Sequence, residues 1–213
     1  MSTRDDVSDA IFAPHALVIG ASSDIGRAIA VEMAALGYAL TLWGRRRPAL
    51  QETADRCGDV GPEAVVEVVD VRDDRQLRIG LDHLVVRGPL RAAVWTPGLF
   101  HWGRADGADP GAWRELVEVN LTAPAVFTAL VAPLLVAAAP SALVYLGSGA
   151  GHQAYPDNAA YVATKHGLTG LARATFLDLR DRDVKVSLIS PGLVAAGAGL
   201  LSPAGQSRPD ALL

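Results

Sequence analysis

Ala16-Leu-Val-Ile-Gly-Ala-Ser-Ser-Asp-Ile-Gly26 runs from a short apolar stretch, through a turn bearing two glycines, into a helical pattern. From Ile25 the apolar residues recur at helical spacing through Ile29, Met33 and Leu36 and stop at Gly37, so the segment predicts strand, turn and helix. Glycines at such a turn let the backbone approach a pyrophosphate, and the free N–H groups and dipole of the following helix favour its negative charge. The spacing, glycine and then another six positions on, is not the Gly-x-Gly-x-x-Gly pattern, and an ordinary tight turn is the bland alternative. Its place after the first strand favours nucleotide binding.

The alternation continues outward from this unit. Residues 39–43, 64–69, 92–95, 142–146 and 184–189 read as further strands. Helical patterns lie between them at 48–56, 73–87, 113–139 and 159–179, the third of these kinked at its prolines. Short apolar runs separated by helices predict an α/β fold: a doubly wound, Rossmann-like parallel sheet, covered on both faces, with strand order 3-2-1-4-5-6. The chain closes this pattern at Pro191-Gly192, and residues 193–213 form a short tail with no firm assignment.

Length and composition fit one domain over residues 1–213, since no linker-like stretch divides the 213 residues. Half the residues are apolar and the net charge is −4, which leaves no basic field for nucleic acid or an anionic membrane surface. A small molecule is the expected partner. The single cysteine, Cys57, excludes an intrachain disulfide, and residues 1–6 lack the apolar core of a secretory signal, so a cytoplasmic setting is expected. The uncharged run 121–139 is long enough to suggest a membrane span, but Pro124, Pro133 and two threonines favour a buried or subunit-facing helix.

Chemistry enters at Tyr161-Val-Ala-Thr-Lys165, where a tyrosine and a lysine sit one helical turn apart. A phenol titrates near pH ~10, and a neighbouring ammonium favours the phenolate, which makes Tyr161 a candidate acid/base. Alone the pair is weak, because such spacings usually mark a solvated helix face. Ser148 in a glycine-rich turn after the fifth strand, and Asn120 farther upstream, complete a candidate proton-handling site. The second strand ends in Trp43-Gly44-Arg45-Arg46-Arg47 with no acid for a ribose 2′-hydroxyl, so NADP(H) is favoured over NAD(H), with Arg45 and Arg46 on the 2′-phosphate; the alternative is a solvated arginine loop. Asp70 is placed to accept from an adenine amino group or to cap the next helix. His101, His152 and His166 do not have metal-ligand spacing.

With these residues assembled, the chain resembles the short-chain dehydrogenase/reductase family, in its compact single-domain branch, over roughly residues 14–194. The resemblance implies an oxidoreductase acting on a small-molecule carbonyl or alcohol. It implies that Tyr161 donates a proton to the carbonyl oxygen and Ser148 hydrogen-bonds that oxygen. Lys165 would hold the nicotinamide ribose and lower the tyrosine pKa, and Asn120 would anchor a water relay. The candidate cofactor positions are Gly20, Ser22, Ser23, Asp24, Ile25 and Gly26, then Arg45, Arg46, Asp70, Val71 and Gly98, then Tyr161, Lys165, Pro191 and Gly192. The family habit of a homodimer or homotetramer carries over as an expectation.

Four departures accompany the resemblance. Ile19 and Asp24 stand where the family's glycine motif has a threonine and its middle glycine. Trp95-Thr-Pro-Gly98 replaces the usual Asn-Asn-Ala-Gly after the fourth strand, so the amide that braces the sheet is missing and Thr96 is expected to substitute only in part. Ala196 replaces a threonine that would meet the nicotinamide carboxamide, and the chain is expected to lack or rebuild the last strand and much of the substrate cover. These departures motivate one alternative, a non-catalytic nucleotide-binding or scaffold protein; an epimerase or dehydratase on the same scaffold is a third reading, against which the compact length argues. Substrate identity is not legible beyond a neutral or moderately apolar carbonyl compound.

Overall fold

The fold is known from a computed structural model, which describes residues 13–196 and, beyond them, Gln206 alone. Residues 1–6 and most of the 193–213 tail therefore lie outside the described residues. Six parallel strands alternate with helices: β1 (His15–Ile19), α1 (Asp24–Ala35), β2 (Ala39–Gly44), α2 (Arg47–Gly58), β3 (Val65–Val68) and α3 (Asp74–Val85) form the first half. The second half comprises β4 (Leu90–Trp95), α4 (Pro110–Val117), α5 (Ala123–Ala137), β5 (Ser141–Leu146), α6 (Ala159–Leu179) and β6 (Val184–Ile189). The strands lie in the order β3-β2-β1-β4-β5-β6, as the alternation predicts.

Strand β1 shows why this arrangement is stable. Successive side chains point to opposite faces, and a parallel strand at the sheet centre must bury both. Ala16 and Val18 pack in one cluster with Ala30 and Ala34 of α1 and Leu50 and Ala54 of α2. Leu17 and Ile19 pack in another with Leu77 and Leu81 of α3 and Phe127 and Val131 of α5. Coverage fails toward the edge, contrary to the expectation of a sheet sealed on both faces. In β6, Lys185, Ser187 and Ile189 are exposed while Val184 is buried, and the polar residues alternating along that strand are the reason.

Helix starts follow side-chain caps. Ser23 accepts from the Gly26 N–H, Asp73 from those of Arg75 and Gln76, and Asp109 from those of Gly111 and Ala112. The Asp109 cap and Pro110 start α4 ahead of the predicted residue 113. The expected proline kink also takes a different form. Pro124 has no N–H to offer the Asn120 carbonyl in an α pattern, and the run widens into a π turn at Glu118–Thr122, where Ala123 N–H bonds the Glu118 carbonyl. The run Pro110–Ala137 is long and apolar enough to cross a membrane, yet Phe127, Val131 and Leu135 on its inner stripe belong to the core.

Two tight contacts fix the turn after β1. Gly20 has φ +81°, a left-handed conformation suited to glycine. At Gly26 a Cβ would press into the Gly20 carbonyl and lie 3.0 Å from the Ala21 Cα, so α1 meets the turn with no room for a side chain. Gly26→Ala is expected to cost about 1–3 kcal/mol by overpacking. A lowered urea midpoint with unchanged m-value would register it; an unchanged midpoint would show that the turn yields freely.

Candidate active site

Turns beyond the carboxyl ends of the strands converge on one cleft of about 950 Å³, at the place where the strand order reverses between β1 and β4. Gly20, Ser22, Ser23, Asp24 and Ile25 line it from the first turn, Arg45 and Arg46 from the second, Asp70 and Val71 from the third. Gly98, Ser148, Tyr161, Lys165, Pro191 and Gly192 line the remainder. Two predicted positions stand behind the wall: Gly26 and Asn120 are both buried.

Asn120 is 1% exposed and hydrogen-bonds through both ends of its amide. Its Oδ1 accepts from Leu99 N–H at 2.7 Å, and its Nδ2 donates to the Leu99 carbonyl at 2.9 Å and to Thr164 Oγ1 at 3.2 Å. Both amide N–H groups are thereby used, while Oδ1 accepts one bond of the two that its lone pairs allow. Its evident work is to position the loop after β4 against α6. Gly98 belongs to the same junction, since a Cβ there would stand 3.4 Å from Lys165 Nζ and 3.6 Å from Asn120 Oδ1.

Thr96 supplies the brace that the missing asparagine seemed to remove. Its Oγ1 donates to the Ile19 carbonyl at 2.6 Å, beside the Thr96 N–H at 3.2 Å, and so ties β4 to the end of β1.

Lys165 lies 5% exposed, donates to the Leu146 carbonyl at 3.2 Å, and places Nζ 5.7 Å from the Tyr161 ring centroid. Burial lowers its pKa to about 8, because the charged form loses hydration. Tyr161 corrects the sequence expectation: its pKa lies above that of an ordinary phenol, not below. Burial raises it, and the Ser148 hydroxyl pulls it only part of the way back. The phenol is therefore protonated at neutral pH, the state a proton donor needs. Ser148 itself caps the short turn at Gly149–Gly151, accepting from Ala150 N–H at 3.2 Å.

The opposite end of the cleft is cationic. Arg46 Nη2 donates to the Ser22 carbonyl at 2.6 Å, bending across the first turn. Asp70 does not cap α3, a task that falls to Asp73; its carboxylate is held by Arg72, with Nη2–Oδ2 at 2.6 Å and Nε–Oδ1 at 3.0 Å. That pairing holds the Asp70 pKa below the usual carboxylate range. Asp24 is exposed in the first turn of α1, where its charge suits the helix dipole and opposes an incoming phosphate.

Sequence reasoning missed Arg72, whose partner Asp70 lies two positions away, and expected Thr96 to replace the asparagine only in part. It also passed over an aromatic group: Phe100 meets the Tyr161 ring edge-on at 4.9 Å and Trp102 lies 5.9 Å from Phe100. Among the described residues no His, Cys, Asp and Glu stand together as a metal site.

The residues present fit a dinucleotide: a side-chain-free turn at a helix start, arginines beside it, and a cleft reaching the tyrosine. Known proteins agree. Residues 14–201 match the family model for short chain dehydrogenases. The chain is 30% identical over 200 residues to sulfoacetaldehyde reductase 2 of Chromohalobacter salexigens, covering 92% of this chain and 79% of that protein. It is 27% identical over 183 residues to cyclohexanol dehydrogenase of an Acinetobacter species, covering 84% and 72% respectively. Among solved structures, a variant of actinorhodin polyketide ketoreductase with NADPH superposes with a TM-score of 0.84 at 26% identity, over 93% of this chain and 76% of that one.

Burying an ammonium at neutral pH has a stability consequence. Between pH 8 and the ordinary lysine value of 10.5 the unfolded chain holds a proton that the folded cofactor-free protein has released, so stability from this group rises with pH in that window. Below pH 8 the full penalty applies. Lys165→Met is expected to stabilise the cofactor-free protein at pH 7 by up to about 3 kcal/mol and to remove the alkaline gain. Urea unfolding at pH 7 and pH 10 checks both, and a less stable variant at pH 7 would contradict the burial penalty.

Proposed function

The chain belongs to the short-chain dehydrogenase family, and from that membership we propose that it is an NADP(H)-dependent oxidoreductase interconverting a carbonyl group and a secondary alcohol on a small molecule. The observation that carries this reading is a half-buried Tyr161 beside Ser148, with the Lys165 ammonium over its ring, in the same cleft as the glycine turn and its arginines.

The nicotinamide, when bound, supplies the hydride. The protein's part is to meet the negative charge that develops on the substrate oxygen. Tyr161 gives that oxygen its hydroxyl proton, and Ser148 donates a hydrogen bond to it; both interactions strengthen as charge grows, so they stabilise the transition state more than the ground state. Lys165, charged below pH 8 and fixed on the Leu146 carbonyl, favours the phenolate left after transfer and has further N–H donors for a ribose hydroxyl. In the oxidative direction Tyr161 must first lose its proton. A raised phenol pKa makes that direction depend on alkaline pH.

Arg45 and Arg46 support the preference for NADP(H). Arg46 spends its hydrogen bond on a neutral carbonyl and can exchange it for a doubly charged phosphate, a stronger acceptor. Asp24 and the Arg72 pairing of Asp70 favour a second reading, a nucleotide-binding protein without turnover, in which NADPH raises the melting temperature but is not consumed.

Tyr161→Phe is expected to lower turnover of NADPH with a reducible ketone about a hundredfold or more while leaving the cofactor-induced melting shift in place. Full activity in that variant would remove Tyr161 from its role. Wild-type alcohol oxidation should climb with pH above neutrality while ketone reduction does not. Replacing Arg45 and Arg46 together by alanine should raise KM for NADPH on the order of tenfold to a hundredfold with little change for NADH. Equal losses for both cofactors would place the arginines elsewhere.

A further inference from the structure

The two ends of the cleft differ in chemistry. Its charged lining residues among those described are Asp24, Arg45, Arg46, Asp70 and Arg72, all on turns after β1, β2 and β3, together with Lys165 on α6. Lys165 is committed to the Leu146 carbonyl and the space beside Tyr161. The uncharged lining around Tyr161 includes Phe100, Trp102, Tyr155, Leu193 and Val194. Leu99, Pro156, Asn158 and Ala196 belong to it as well. No described side chain there carries a charge.

Three aromatic side chains, Phe100, Trp102 and Tyr155, join Tyr161 in this lining, in a chain that is only 6% aromatic. Phe100 stands edge-on to Tyr161 at 4.9 Å and Trp102 tilts toward Phe100 at 5.9 Å, so a line of rings leads outward from the reacting phenol. Trp102 and Tyr155 remain 44% and 43% exposed, with large apolar faces that a bound molecule would dehydrate. The loops carrying them are joined, because Gly103 N–H donates to the Asp157 carbonyl at 2.9 Å, and the Tyr155 hydroxyl accepts from Gln153. Gly149 keeps the gap open, since a Cβ there would come 3.4 Å from the Tyr155 hydroxyl. The rings are thus held as a preformed wall.

Building on the proposed oxidoreductase reading, we infer that Phe100, Trp102 and Tyr155 form a ring-binding subsite selecting an uncharged carbonyl compound whose carbonyl is attached to, or part of, a flat apolar ring. Stacking favours the ring. A carboxylate or sulfonate on the far side of that ring would be desolvated against aromatic faces with no cation among the described residues to receive it.

Two ligands of nearly equal shape separate the possibilities: 4-methylacetophenone and 4-acetylbenzoate. Each is titrated into the full chain with NADP⁺ by ligand-observed saturation-transfer NMR, and each is assayed for NADPH consumption. The neutral ketone is expected to bind through its ring protons and the carboxylate to bind at least tenfold more weakly. Trp102→Ala should weaken the neutral ketone about threefold to tenfold, with Trp102→Phe restoring most of the loss. The melting shift with NADP⁺ should be unchanged in both variants, which also shows that they fold. Equal or tighter binding of 4-acetylbenzoate, no binding of either ketone to NADP⁺-loaded protein, or an unaltered affinity in Trp102→Ala each overturns the subsite. Binding of the ring without NADPH consumption would leave the subsite standing and defeat the oxidoreductase reading. Absence of any NADP⁺ melting shift in the wild type would overturn both.

Discussion

The amide of Asn120 joins three stretches of chain that the sequence keeps far apart. It bonds both the N–H and the carbonyl of Leu99 in the loop after β4, and it donates to Thr164 on α6 from its own seat in the π turn between α4 and α5. Thr164 lies next to Lys165, and Leu99 lies next to Gly98 and Phe100. A single buried side chain therefore sets the distance between the loop that walls the cleft and the helix that carries Tyr161 and Lys165. Leaving any of its partners unpaired in the interior would cost more than the bond itself contributes. The π turn follows from the same requirement, since it lets Asn120 face inward while Pro124 continues the helix.

That framework maintains a group that folding alone would not choose. An ammonium buried at 5% exposure opposes stability at neutral pH, and a phenol raised by burial opposes its own ionisation. Each perturbation is unfavourable to the cofactor-free protein and useful to a reaction that moves one proton. Perturbed groups gathered in one cleft are the usual mark of a functional site, whereas a purely structural lysine would seek water. The surrounding clusters, with Leu17, Ile19, Trp43, Trp95 and Phe127 buried on one face of the sheet, supply the stability that this arrangement spends.

Much of the fold was legible because its signals are local and repeat. The apolar runs at residues 16–19, 39–43 and 142–146 could bury both faces only as inner parallel strands, and the caps and glycines between them mark where helices start. The mixed pattern of β6, with Lys185 and Ser187 between Val184 and Leu188, reads only as a strand of a covered sheet, and its exposure emerges from its place at the edge. The candidate site residues could be named from spacing, but their environments could not. The sequence places an ammonium near Tyr161 and so suggests a lowered pKa; only the depth of burial reverses the sign. Thr96 could be named as a partial replacement for an asparagine, but not the bond it makes, because its partner, the Ile19 carbonyl, is 77 positions away. The Arg72 pairing with Asp70 is local, yet its bearing on the cleft depends on where β3 ends relative to β1 and β2.

The cationic end of the cleft carries the last constraint. Arg46 and Arg72 already have acceptors, the Ser22 carbonyl and the Asp70 carboxylate, so their charge is not idle before a nucleotide arrives. A ligand must offer each guanidinium at least as good a partner as the one it leaves. For Arg46 the comparison favours a phosphate, since a neutral carbonyl is the weaker acceptor. For Arg72 it does not, because the existing partner is itself an anion and the pair is two-pronged. On the proposed NADP(H) reading, Arg72 stays on Asp70 while Arg46 turns to the phosphate, and Asp70 keeps a neutralised carboxylate whose remaining lone pairs can accept from an uncharged amino group. The same logic confines the exposed Asp24: it can share a helix start with a phosphate only by pointing into solvent, where water screens the repulsion.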